Sequence, residues 1–342
     1  MTTVTIEDLT PDSKDVGVPA HYGDPMREQR LLETAAGLVD RSNRDVLAVP
    51  GEERASWLHT LTTQHLADLR AGQGSELMVL SPQGHIEQHA FVTEDGTTAW
   101  LDTEPGAGAG LLKYLEMMRF FTKVEPRDAS AEWDVWSVVG PGAADLFPEL
   151  GASRVLPVPG PRFGAGEVPA EPTSLYEVRQ IRGMLARRVP LGVDLLVPHG
   201  RQPDVDVPRA GLWAYEAVRV AHKIPRLGWE TDHRAIPAEA GFVANAVHLD
   251  KGCYRGQETV AKLHNLGRPP RRLVLLHLDG VATDQPPAQG TPVELDGRAV
   301  GFVGTAVRHH ELGMIALAVV KRNVADDARL LVGESAAAID PA

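Results

Sequence analysis

The sequence predicts an α+β protein that closes in a small all-strand unit. Three observations carry this. Segments with helical spacing alternate with strand-like segments as far as residue 268. Between Ser75 and Asp102 three short strands follow one another across tight turns, as in a meander. After Asn265-Leu266-Gly267-Arg268-Pro269-Pro270 the texture changes to short strands and turns alone, which places a domain boundary near Arg268.

In chain order, residues 1–25 carry Asp8, Pro11, Asp12, Asp15 and Pro19 with little apolar periodicity and predict a mobile tail. Arg27–Val39 reads as a helix, with Leu31, Leu32, Ala35 and Leu38 on one face. Asp45–Pro50 is a strand closed by Gly51. Glu52–His65 is a second amphipathic helix, with Ala55, Leu58, Leu61 and Thr62 on its inner face. The meander comprises Ser75–Leu80, His85–Thr93 and Thr98–Asp102, turned by Ser81-Pro82-Gln83-Gly84 and Asp95-Gly96.

Gly110–Phe121 is a helix rich in leucine, methionine and aromatics, and Trp133–Val139 a strand. Gly140-Pro141-Gly142 opens another helix, with Pro141 suited to the first helical position. Leu156–Pro172, rich in proline and glycine, predicts a long surface loop. Tyr176–Arg182 and Leu185–Pro190 are strands, Leu195–Pro198 a short extended piece, and Leu212–His222 a helix. Lys223–Asp250 has little regular pattern, and polar loops of this length are more often functional than inert. Arg272–Leu278, Pro292–Leu295, Val300–Val307 and Met314–Val320 form a small antiparallel barrel or sandwich, followed by a tail over residues 337–342.

Hydrophobic residues make up 43% and charged residues 23%, the balance of a soluble globular protein. The net charge of −12 repels phosphate backbones, so no direct nucleic-acid partner is expected. A single cysteine excludes an intramolecular disulfide and any zinc or iron–sulfur site built from several cysteines of this chain. The expected compartment is therefore the reducing cytosol. No signal-peptide pattern or long apolar span is present, so no membrane partner is expected.

That cysteine lies in Lys251-Gly252-Cys253-Tyr254-Arg255-Gly256-Gln257-Glu258. Cys253 fits either a small buried hydrophobe or an exposed, activated thiolate. A helix starting near Gly256 would put the thiol close to a positive dipole end, and Lys251 and Arg255 would add to that field. In the preceding loop, Glu230 or Glu239 offers the carboxylate that could accept two parallel hydrogen bonds from a heterocycle. Arg226 or Arg234 could hold an anionic tail, and Trp229 could stack on a flat ring. The glycines at 106, 108 and 110 miss the dinucleotide-binding register, because Leu111 stands where its third glycine belongs. His310-Glu311 begins like a zinc-protease motif but meets Met314 where the second histidine is needed, and reads as a solvated hairpin.

The Lys251–Glu258 stretch resembles the K-G-C-Y-x-G-Q-E motif of the YgfZ family, folate-binding proteins related in fold to the glycine-cleavage T-protein, an aminomethyltransferase. Gly37-Leu38-Val39-Asp40-Arg41-Ser42, Val139-Gly140-Pro141-Gly142-Ala143, the Ala214–Val220 helix and Ile236-Pro237 resemble further segments of that family. The resemblance implies a T-protein-like three-domain cloverleaf. Two interlocked α+β units with ferredoxin-like elements (about 26–50 with 135–268, and 51–134) would precede an antiparallel β-barrel over 269–336.

It also implies that tetrahydrofolate or a derivative binds in a central channel, with Trp229, Glu230, Arg234 and Glu239 as candidate contacts. It further implies a part in assembling or repairing iron–sulfur client proteins, with Cys253 as the critical thiol and any link to tRNA modification indirect; Lys251 beside it is the second candidate catalytic residue. No metal site is expected within this chain alone, because one thiol supplies one ligand. Two departures stand out. The transferases' aspartate pair after the G-x-I turn is replaced, since Gly84-His85-Ile86 runs into Glu87-Gln88-His89. The glutamate that relatives place after the A-x-x-A helix is also missing, since Arg219-Val220 runs into Ala221-His222-Lys223. Whether the chain is an enzyme is thus open. A folate-dependent one-carbon transferase and a non-catalytic folate-sensing scaffold are the alternatives.

Overall fold

The computed structural model describes residues 3–150, 176–280 and 285–341, so the loop expected over Leu156–Pro172 lies outside the described residues. The strands are β1 (Val4–Thr5), β2 (Pro19–His21), β3 (Gly37–Asp40), β4 (Asp45–Pro50), β5 (Gln73–Leu80), β6 (Ile86–Glu94), β7 (Thr98–Thr103), β8 (Arg127–Asp128), β9 (Trp133–Val139), β10 (Tyr176–Ile181), β11 (Met184–Val189), β12 (Gly192–Pro198) and β13 (Arg209–Ala210). The helices are α1 (Ile6–Leu9), α2 (Pro25–Thr34), α3 (Arg54–Leu61), α4 (Gly108–Met117), α5 (Leu212–Ala221), α6 (Pro237–Ala240), α7 (Val243–Ala246) and α8 (Gln257–Leu266).

One 11-stranded sheet organises the chain before the barrel, in the order β13-β3-β9-β12-β11-β10-β5-β6-β7-β4-β8. Its two halves meet where Tyr176 and Glu177 of β10 pair with Gly74 and Gln73 of β5. Strand alternation then assigns the faces. On β5 and β6, Leu77, Val79, Ala90 and Val92 turn towards α3 and α4 and join a core with Leu58, Leu101, Leu111 and Leu115. Their neighbours Glu76, Met78, His89 and Phe91 therefore face the other way, across the sheet. In the other half, Leu38, Trp136, Val138, Ala186, Val193 and Leu195 build a second core.

The C-terminal strands are β14 (Arg271–Leu278), β15 (Pro292–Leu295), β16 (Arg298–His309), β17 (Gly313–Lys321), β18 (Leu330–Val332) and β19 (Ser335–Ile339). They close as β14-β17-β16-β15-β18-β19, a barrel and not a sandwich. Val274, Leu276, Val293, Val303, Ala316 and Ala318 contribute to its interior. Val220 of α5 packs with Leu273, Leu275, Ile315 and Leu317 and fixes the barrel against the rest.

Several expectations are corrected. Residues 3–24 are not a mobile tail: β1 pairs with β2, and Ile6, Val18 and Ala20 pack beside Leu32 of α2 and Leu212, Ala214 and Val218 of α5. The apolar pattern there is too short to stand out among the acids. The helix expected over Arg27–Val39 stops at Thr34, because Gly37–Asp40 pairs with Val139–Trp136 as strand β3. Pro141–Leu146 is a 3-10 helix rather than an α-helix. Residues 337–339 are no tail either, since β19 pairs with both β14 and β18 and buries Ala337 and Ile339. Among the described residues, no helix is long and apolar enough to cross a membrane.

Candidate functional site

A cavity of about 810 Å³ opens between the polar face of the sheet, the α6–α8 segment and the barrel. Glu76, His89, Phe91 and Asp194 line it from the sheet; Ile236, Glu239 and Phe242 from the loop; and Thr259, Val260 and Leu263 from α8. Arg272, Leu273 and Arg322 line it from the barrel.

Beneath the cavity runs a continuous buried ion network. Arg187 joins Asp102 at 2.6 Å and Asp194 at 3.0 Å. Arg44 joins Asp102 at 3.1 Å and Glu104 at 3.0 Å. Arg226 joins Glu104 at 2.8 Å, Asp15 at 2.7 Å and Glu216 at 3.0 Å. Arg219 joins Glu216 at 2.6 Å and Glu230 at 3.3 Å. Burial alone would raise the carboxyls of Asp102, Glu104 and Glu216, but the guanidinium groups outweigh it and hold all three below the ordinary carboxylate range. The guanidinium of Arg187 also lies 4.8 Å from the Phe91 ring centre.

At the cavity wall His89 Nε2 lies 2.8 Å from Glu76 Oε2, and the Tyr176 hydroxyl donates to Glu76 Oε1. Burial first, and then the Glu76 charge, push the Tyr176 hydroxyl well above its ordinary pKa, so it stays a donor. Sequence reasoning missed this trio. Its sequence signal is that His89 stands in the segment replacing the transferases' aspartate pair; Glu76 and Tyr176 have none of their own.

In the cysteine motif, Cys253 is exposed, and the segment then turns at Gly256, the N-cap of α8. Gly256 has φ +81°, and a Cβ there would stand 2.6 Å from Ser81 O and 2.9 Å from Gly84 Cα. Only glycine lets this loop lie flat on the 81–84 turn. Gln257 Nε2 donates to Lys251 O at 3.1 Å and closes the loop upon itself.

The second catalytic candidate is placed elsewhere. Lys251 is buried, and its ammonium donates to the backbone carbonyls of His59, of Thr62 at 2.6 Å and of Gln64 at 3.0 Å. Burial brings its pKa down to about 8, while the three carbonyls occupy its protons. Arg255 is paired with Glu87 at 2.9 Å. Neither cation is held beside the thiol by these bonds: Lys251 clips the motif to the end of α3. Tyr254 is buried, which pushes its hydroxyl up to about 12, and Glu258 is exposed. Cys253 itself does not line the cavity; the helix it precedes does.

Of the loop candidates, Glu239 and Arg226 line the cavity. Glu239 is buried, and its Oε2 accepts from Arg271 at 2.8 Å. Glu230 is fully buried away from the cavity and is consumed by Thr305 at 2.6 Å, the Arg226 amide at 2.7 Å and Arg219. Trp229 does not stack towards the cavity, since Arg226 covers its ring at 3.7 Å and Lys14 lies 5.1 Å from its centre. Arg234 is exposed and bonded to its neighbour His233. Arg226 lines the cavity, but its guanidinium is spent on the ion network.

The His310-Glu311 hairpin is exposed at Glu311 and Leu312, as expected, but its histidines are packed inward. His309 and His310 have side chains 2% and 3% exposed and both meet Glu33 of α2, His309 at 2.9 Å. One ligand atom from each of Glu33, His309 and His310 lies within 4.8 Å of the others, a spacing a metal ion could use. However, His309 Nδ1 accepts the amides of Glu311 and Leu312, both at 3.2 Å, so its proton sits on Nε2 and points at Glu33. That tautomer makes a hydrogen-bonded clasp between barrel and helix.

Residues 17–157 match the family described as the GCVT N-terminal domain. The chain is 26% identical to a putative chloroplastic transferase of Arabidopsis thaliana over 273 residues, covering 77% of this chain and 60% of that protein. It is 30% identical to the tRNA-modifying protein YgfZ of Aliivibrio fischeri over 129 residues, covering 36% of this chain and 39% of that protein. It thus spans less than two thirds of the length of either relative. The crystal structure of glycine cleavage system aminomethyltransferase T from Bartonella henselae superposes with a TM-score of 0.73 at 17% identity, covering 94% of this chain and 90% of that one. The fold is therefore that of an aminomethyltransferase.

Proposed function

We propose that this chain binds tetrahydrofolate or a derivative in the cavity below α8, and that it serves the assembly or repair of iron–sulfur proteins through Cys253. Glu239 carries the folate reading. It is a buried carboxylate on the cavity wall, oriented by Arg271, and its Oε1 has no hydrogen-bond partner among the described residues. With Oε2 taken by Arg271, Oε1 is left to accept from a ring N–H of a pterin. Arg268, Arg272 and Arg322 line the cavity from the barrel side, where burial and mutual repulsion lower the Arg322 pKa. Such a cluster suits the carboxylates of a folate tail.

The matching cysteine motif and the partial likeness to a tRNA-modifying protein YgfZ support the second half. Cys253 is exposed, so a partner can reach it. One thiol gives one ligand, so the client or assembly protein supplies the others. Action in the reducing cytosol is part of the same proposal.

Calorimetric titration tests the first half. Wild type should bind tetrahydrofolate saturably, and Glu239→Ala should weaken binding about 10- to 100-fold, the loss of a charged hydrogen bond. Absence of binding to wild type overturns it. For the second half, iron–sulfur enzyme activities are compared in a deletion strain complemented with wild type or Cys253→Ala. Rescue by the variant equal to wild type removes the thiol from the function.

A one-carbon transferase is the second reading, favoured by the aminomethyltransferase fold. Gln88 and His89 in place of the aspartate pair weigh against it. Screening small amines for tetrahydrofolate-dependent methylenetetrahydrofolate formation decides between them.

A further inference from the structure

We infer that His89 makes the cavity selective for the oxidation state of its ring ligand, accepting a reduced ring that presents an N–H and refusing the oxidised ring with a bare nitrogen in its place. This rests on the folate reading.

Glu76 decides the direction of the hydrogen bond. One of its oxygens takes the Tyr176 hydroxyl proton, and the other faces His89 Nε2 at 2.8 Å. A carboxylate acceptor keeps a proton on Nε2, so in the neutral imidazole Nδ1 is a bare acceptor. Nδ1 has no hydrogen-bond partner among the described residues, it is not among the sealed polar atoms, and His89 lines the cavity. The ring is pinned between Phe91 at 5.4 Å and Phe242 at 4.8 Å. The site therefore offers a fixed lone pair at a position where the ligand must bring a donor.

A tetrahydropterin carries N–H groups on its saturated ring, whereas the fully oxidised pterin has lone pairs at those nitrogens. Two acceptors facing each other away from water are left unpaired, and a site built for an N–H rejects the analogue that lacks it.

The test is anaerobic calorimetry with tetrahydrofolate and with folic acid on wild type, Glu76→Gln and His89→Leu. Wild type should prefer tetrahydrofolate by about 10- to 100-fold. In Glu76→Gln the amide oxygen stays on the Tyr176 hydroxyl and the amide NH₂ faces Nε2, which drives the imidazole proton to Nδ1. The preference should then fall at least about tenfold, with folic acid binding more tightly than it does to wild type. His89→Leu, which keeps an apolar side chain between the two phenylalanines, should bind both ligands with similar affinity. Equal affinities in wild type, or a preference unchanged in both variants, overturn the inference while leaving folate binding intact. Failure of wild type to bind either ligand overturns the folate reading itself.

Discussion

Replacing Arg226 with methionine lowers stability at pH 7 by about 4 kcal/mol, the cost of leaving buried charges without their partner. The methionine fills much of the space but leaves the carboxylates of Asp15, Glu104 and Glu216 short of a guanidinium they now share at 2.7–3.0 Å. The deficit depends on pH, and its sign follows from the wild-type shifts. Glu104 and Glu216 are held below their ordinary range, so their contribution is complete above the unfolded carboxylate pKa of about 4.3. It is lost as the pH falls through their lowered folded values. Without Arg226 these carboxyls rise and take up protons earlier, which relieves the unpaired charge. The gap between wild type and variant should therefore shrink as the pH drops from 7 towards 4. Urea unfolding at both pH values measures it, and limited proteolysis should find residues 3–24 newly cleavable once Asp15 loses its anchor. An unchanged urea midpoint, or a gap that widens in acid, contradicts the account.

Gly256→Val is the second large effect. The position lies at φ +81°, where a side chain costs about 1–2 kcal/mol before any contact is considered. The added Cβ would also strike the backbone at Ser81 and Gly84, which cannot move aside as a flexible side chain can. A loss of about 3 kcal/mol or more is expected, as for other strained backbone sites. Tetrahydrofolate affinity should fall with it, because α8 begins here and carries Thr259, Val260 and Leu263 into the cavity. Gly252, only four residues earlier in the motif, is the control. Its φ is not positive and nothing lies within 4 Å of an added Cβ. Gly252→Ala should stay within about 0.5 kcal/mol of wild type. Denaturant curves of the two variants side by side decide, and equal losses would refute the distinction.

The parts of the molecule legible in the sequence are those with a local cause. The meander and four of the barrel strands announce themselves by alternation and turns, and Trp133–Val139 is found to the residue. Gly37–Asp40 misleads because Leu38 continues the leucine spacing of the helix before it. Pairing with β9, about a hundred residues later, decides the outcome. The cysteine motif is local, so its loop and the helix start at Gly256 are readable, but the carbonyls that claim Lys251 lie far back in the chain. The loop acids and arginines looked solvated or ligand-binding for the same reason. Glu230 and Trp229 have the right chemistry for a pterin, yet Thr305 and Lys14 from far along the chain, with Arg226 nearby, occupy them first.

The same long reach constrains how the chain comes into being. Asp15 and Arg226 are 211 residues apart, and Glu33 and His309 are 276 apart. During synthesis the first helices therefore leave the ribosome with their charged partners still unmade, and the cavity cannot be assembled until the last barrel hairpin has been translated. Contacts of such sequence separation slow folding and expose intermediates. A fragment ending before the barrel holds Glu230 without Thr305 and α2 without its histidine clasp. Such an unfinished chain has its ion network complete, but it leaves Glu33 without its histidines and Glu239 without Arg271.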